Sequence, residues 1–125
     1  MTRTELIAAL ETAEGPSYAL DLAIAQTLVP QIMVMRRNND DTCNVPHTYR
    51  AFTASREHAL WLCETLLPGA EYELTNLYGL AVFRAPLNGG ENQPWCEGRR
   101  EDGCMAIAIL LGTLRALEAQ EPDHD

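Results

Sequence analysis

Met105-Ala106-Ile107-Ala108-Ile109-Leu110-Leu111 is the longest strongly apolar run in the chain, and it continues through Leu114 and Leu117. That spacing predicts a helix from about Asp102 to Glu118, with Ile107, Leu110, Leu111, Leu114 and Leu117 forming a broad buried face. The run is far short of the roughly 20 apolar residues that a membrane span needs. The helix must therefore be covered by protein, and the rest of the chain is read for what covers it.

Upstream lies a segment whose polarity alternates. Tyr72 and Leu74 fall opposite Glu73 and Thr75 over Glu71–Leu77, and Leu80–Ala85 supplies a second extended run. With Tyr78-Gly79 in the turn, the pair predicts an antiparallel hairpin. Between hairpin and last helix, Asn88-Gly89-Gly90 through Gly98 is rich in Gly and Asn and holds Trp95, so a loop is expected.

The N-terminal half reads as helices. Thr2-x-x-Glu5 has the pattern of a capping box, followed by Leu6, Ile7 and Leu10 at helical spacing. Glu14-Gly15-Pro16 breaks that helix, Ser17 caps a second one carrying Leu20, Ile24 and Leu28, and Pro30 ends it. Gln31–Met35 is either a strand or a packed extension, and Arg36–Pro46, centred on Asn38-Asn39-Asp40-Asp41, is expected to be a surface loop. Tyr49–Phe52 is extended. Ser55 then caps a third helix with an Ala59, Leu62, Cys63 and Leu66 stripe, stopped by Pro68-Gly69.

The order α-α-(β)-α-β-β-α predicts a mixed α+β fold, an α/β/α sandwich in which helices pack on both faces of a small antiparallel sheet. Residues 1–120 are assigned to one domain and 121–125 to a frayed acidic tail. At 125 residues and 46% hydrophobic composition, the chain can build a core without metal or disulfides.

Net charge is -9, from 18 acids against 9 arginines, with no lysine. That field repels a duplex or a long single strand, yet one local basic site for a small anion is compatible with it. The N-terminus carries an acid and polar residues, so no signal peptide is expected, and the expected location is a bacterial cytoplasm. Four cysteines at 43, 63, 96 and 104 include no C-x-x-C pair. Cys63 and Cys104 read as core fillers, and Cys43 with His47 lacks a second ligand pair for zinc.

Catalytic patterns are sparse. His47, His58 and His124 belong to no recognised nucleophile or metal signature, and no Gly-rich phosphate loop is present. Ser17, Thr53 and Ser55 suit caps and turns, and Glu71 and Glu73 suit a solvated strand edge. An enzyme is not expected, nor a cofactor or metal.

The stronger signal is Arg99-Arg100 ahead of the last helix, where unpaired amides and arginine forks together suit a phosphate. Glu101 and Asp102 offer a competing reading, as partners for those arginines. Phe52, Tyr49 and Trp95 lie near loops, where a base could stack, and Arg36 and Arg37 flank the Asn/Asp loop, placed to close over an anion. The ligand-binding set read from the sequence is Arg99, Arg100, Phe52, Thr53, Trp95 and Arg36.

Three stretches together resemble a known family. Gly15-Pro16-Ser17-Tyr18-Ala19-Leu20-Asp21-Leu22-Ala23-Ile24-Ala25 is similar to an opening "GPS-x-x-LD-x-x-IA" pattern. Phe52-Thr53-Ala54-Ser55 is similar to a "YTAS" helix start, and Cys104-Met105-Ala106-Ile107-Ala108 to a closing alanine-rich helix. These patterns belong to phage ABA sandwich domain proteins. The chain departs from them in the longer 33–46 stretch and in Phe52, where tyrosine is usual. The resemblance implies an α/β/α sandwich of phage origin. It also implies a likeness to anti-Thoeris proteins, which sequester a cyclic ADP-ribose signal between subunits without cleaving it. On that basis the expected partners are a cyclic nucleotide and further copies of the chain, dimer-based or hexameric, with Arg99 and Arg100 toward phosphate and Phe52 toward the base. An acidic inhibitor of a host defence enzyme, or a phage structural domain, are the alternatives.

Overall fold

The computed structural model describes residues 2–37, 44–68, 72–77, 80–86 and 95–120. The elements are α1 (Arg3–Thr12), α2 (Tyr18–Leu28), a 3-10 turn (Pro30–Ile32), β1 (Val34–Arg37), β2 (Asn44–His47), α3 (Arg56–Leu66), β3 (Glu73–Leu77), β4 (Leu80–Pro86), β5 (Trp95–Arg100) and α4 (Met105–Gln120).

Local chemistry sets the helix starts. Thr2 and Glu5 form the reciprocal capping box, with the Glu5 N–H donating to Thr2 Oγ1 at 3.1 Å and the Thr2 N–H to Glu5 Oε1 at 3.2 Å. Ser17 Oγ accepts from the Leu20 N–H at 3.3 Å, and Ser55 Oγ accepts from the His58 N–H at 3.2 Å. Each satisfies an amide that the helix itself leaves unpaired.

The sheet is antiparallel in the order β3-β4-β5, and β1-β2 form a separate antiparallel ribbon. Two loop assignments are corrected. The stretch read as a loop from Arg36 to Pro46 contributes Arg36 and Arg37 to β1 and Asn44–Pro46 to β2, Arg37 opposite Asn44; Asn38–Cys43 lie outside the described residues. The Gly-rich stretch ending at Gly98 contributes β5, whose Phe83–Gly98 pairing seats it on β4. Arg, Asn and Gly have poor strand propensity, and pairing partners override it. The last helix begins at Met105, three residues later than its apolar pattern suggests. Glu101 and Asp102 instead form a turn closed by the Gly103 N–H on the Arg100 carbonyl, with Gly103 at φ 81, where a side chain would be strained. The Tyr78-Gly79 turn and the 121–125 tail lie outside the described residues.

The core is organised around α4. Met105 to Leu114 are buried without interruption, the mark of a helix enclosed on every side. It packs on β4 and β5, and α3 and α1 pack on it in turn. The fold is thus mixed α+β, with helices packed on a small antiparallel sheet. On the sheet face turned from α4, Glu73, Thr75, Glu97 and Arg99 are exposed.

Candidate functional site

The arginine pair is divided by strand geometry. Arg99 lies opposite Val82 and Arg100 opposite Ala81, and successive strand residues point to opposite faces. Arg100 turns toward the helices and closes on the end of α1. Its Nη1 donates to the Leu10 carbonyl at 2.8 Å and its Nη2 to the Ala13 carbonyl at 2.6 Å. Its Nε and Nη2 also donate to Asp102 at 3.2 and 2.6 Å. Those carbonyls belong to the helix end, whose acceptors and partial negative charge both favour a cation. The Arg100 hydrogen bond, aided by the Cys104 N–H, holds the Asp102 carboxyl below the usual carboxylate range, and Asp102 in turn raises Arg100.

Arg100 is therefore a clasp between β5 and α1, its side chain only 11% exposed. Arg99 is exposed on the other face. The two cannot close on one phosphate, and neither stands at the α4 N-terminus, where Asp102 Oδ1 already accepts the Cys104 N–H at 3.0 Å. Of the two readings of this segment, pairing of the arginine with Asp102 is the one observed.

Phe52 and Thr53 are interior residues. Phe52 is fully buried and packs against Trp61, ring centroids 6.4 Å apart and 23° from parallel. Its faces belong to the core, not to a ligand. Thr53, also fully buried, is a hydrogen-bond hub. Its N–H and hydroxyl are each 2.7 Å from Asp21 Oδ1, and its hydroxyl oxygen accepts the Ser17 N–H at 2.8 Å. Cys104 Sγ lies 3.7 Å from the Thr53 carbonyl. Asp21 is 5% exposed, so its carboxylate depends on those donors.

Trp95 lies in β5 opposite Pro86 and Arg36 in β1 opposite Val45; both side chains lie outside the described ones, as does Cys43. Among the described residues no group of three or more His, Cys, Asp and Glu could hold a metal ion. Cys63 is buried at the α3–α4 contact, and burial pushes its thiol up, which suits a core filler.

A surface not foreseen as a unit lies where α2, β2 and α3 meet. The Tyr18 hydroxyl bonds His47 Nδ1, and the two rings lie 5.8 Å apart. Three residues on, the Arg50 guanidinium sits 4.4 Å from the centre of the Trp61 ring. Tyr18 and Tyr49 are 49% and 68% exposed. Tyr49 was visible in the sequence as a loop aromatic. Arg50 and Trp61 were not, because eleven positions in sequence and two different element types separate them.

No family model, curated protein or solved structure matches this chain.

Proposed function

We propose that this chain is a non-catalytic, oligomeric phage anti-defence protein that captures a cyclic nucleotide immune signal, of cyclic ADP-ribose or cyclic oligonucleotide type, and holds it intact in the host cytoplasm. One observation carries the reading: the three stretches that resemble the phage ABA sandwich proteins meet at Thr53. Ser17 and Asp21 from the first, Thr53 from the second and Cys104 from the third are in direct contact. Motifs that converge on one buried hub form a physical unit, and this supports the resemblance from which the function follows.

Native mass spectrometry of the full chain, with and without cyclic ADP-ribose isomers and cyclic di- and trinucleotides, tests the proposal. A discrete oligomer gaining one intact ligand mass per site is expected. Unchanged masses across the panel would overturn it for those ligands.

The second reading is an inhibitor that blocks a host defence enzyme by contact. The -9 charge and the exposure of Met35, at 63%, favour it. It predicts capture of one specific host protein and no small-molecule uptake.

A further inference from the structure

We infer that the nucleotide phosphate is held by Arg50, on the surface where the Trp61 ring seats its guanidinium, with the base against an exposed tyrosine beside it; the inference rests on the capture reading above.

The arginines do not compete equally for an anion. Arg3, Arg100 and Arg115 are paired with Glu118, Asp102 and Glu11. Among the described side chains, Arg50, Arg56 and Arg99 have no carboxylate within ion-pair distance. Arg99 is exposed on the sheet face turned from α4, beside Glu97 and with no ring beneath it in the described contacts. Arg56 is exposed at the start of α3, with no ring beneath it in the described contacts. Arg50 alone of the three is seated on an aromatic face. An indole beneath a guanidinium restricts its rotamers, and the fork of N–H donors along its edge suits bidentate contact with two phosphate oxygens. Less ordering remains to be done when the ligand arrives.

Charge along the chain points the same way. Residues 34–58 hold Arg36, Arg37, Arg50 and Arg56 against Asp40, Asp41 and Glu57, whereas the remaining 5 of 9 basic residues face the remaining 15 of 18 acids. Basic residues outnumber acids in this stretch, as they also do over residues 84–100, although the net charge of the chain is -9. The acidic average field of the chain is locally offset along this stretch, which favours an anion.

The aromatic half of the site is adjacent. The Arg50 N–H donates to Thr48 Oγ1 at 3.2 Å, a tight turn that buries Thr48 and leaves Tyr49 exposed. His47, three residues from Arg50, carries the Tyr18 hydroxyl. Three residues span at most about 11 Å, which is within the length of one nucleotide and its neighbouring phosphate. Stacking on tyrosine tolerates any base, so the surface selects a phosphorylated aromatic ligand and not one sequence.

The test is titration of the full chain carrying Trp95→Phe, which leaves Trp61 as the one fluorescent indole, with cyclic ADP-ribose and with cyclic di-AMP. Binding should change Trp61 emission. Arg50→Ala should weaken Kd by about tenfold or more, with Arg50→Lys intermediate because it keeps charge but loses the fork, and Arg99→Ala should stay near the parent. Arg50→Gln replaces Arg50→Ala if the latter loses its thermal transition. Binding that survives Arg50→Ala and Arg50→Gln but fails in Arg99→Ala would overturn the inference and leave the capture reading intact. Binding with no change in Trp61 emission would do the same. No binding by the parent protein, by fluorescence or mass, would sink both.

Discussion

Thr53 shows how a short polar residue can hold a fold together from inside it. Its hydroxyl links Asp21 in α2 to the Ser17 backbone, and its own N–H completes the carboxylate's shell. Thr53→Val keeps shape and volume but removes both hydroxyl contacts, leaving the Ser17 N–H unpaired and Asp21 with one donor fewer. A loss of about 1–3 kcal/mol is expected, measured as a drop in the urea midpoint at constant slope. Thr53→Ser, which keeps the hydroxyl, should lose less. Little loss for Thr53→Val beside a larger one for Thr53→Ser would place the effect in the methyl group instead. Asp102 makes a prediction about pH. Its pKa in the fold is depressed by Arg100, so the folded state binds a proton less readily than the unfolded chain. Its contribution is therefore fully present above the ordinary carboxylate value near about 4 and is lost as pH falls through the lower folded value. Thermal melts below pH 4 should fall less steeply for Asp102→Asn than for the parent, and parallel slopes would show that Asp102 does not drive the acid response. The partly exposed position of this carboxylate keeps the effect modest.

At the scale of elements, β5 is the piece that ties the molecule together. It lies on β4, rests against α4 and sends Arg100 to the end of α1. Gly98 makes that position accessible. A Cβ there would overlap the Ala108 carbonyl and the Gly112 amide, both backbone atoms of α4, and a Cβ on Gly112 would overlap the Phe83 ring. Backbone cannot step aside as a flexible side chain does. Gly98→Ala should therefore cost at least the upper end of the roughly 1–3 kcal/mol typical of overpacking, read from thermal or urea unfolding. A near-neutral result would mean that β5 does not approach α4 this closely. The same paired glycines explain why the strand was hidden in sequence. Glu97-Gly98-Arg99-Arg100 has the composition of a loop, and what makes it extended is the space left by α4 and the hydrogen-bond edge of β4.

For the molecule as a whole, stability is concentrated in α4, which packs against β4, β5, α1 and α3. Leu110 is fully buried within it. Leu110→Ala should cost about 2–5 kcal/mol, and the loss should appear in one cooperative transition, since the sheet, α1 and α3 all meet this helix. A second transition at lower denaturant would show that the sheet and the outer helices unfold independently.

The readable part of this protein was the part written in near neighbours. Thr2 with Glu5, Ser17 with Leu20 and Ser55 with His58 each act over three residues, so the caps were legible from spacing alone. The apolar period of 105–117 and the alternation of 71–85 marked the last helix and the β3–β4 hairpin for the same reason, and with them the mixed α+β class. The candidate site was much less legible, since a side chain's availability depends on partners far along the chain. Arg100 was readable as a cation but not as a clasp, because the carbonyl it caps is 90 residues away. Phe52 and Thr53 were visible as an aromatic and a hydroxyl beside a helix start, while their burial depended on Trp61 and on Asp21, 32 residues before Thr53. Sequence by itself determined the helix caps, the last helix, the β3–β4 hairpin and the acidic field. Tertiary structure alone decided which arginines are engaged, which strand fills the gap beside α4, and that Arg50 rests on Trp61. Those outcomes depend on long-range contacts, whose entropic cost is met only when the whole core forms.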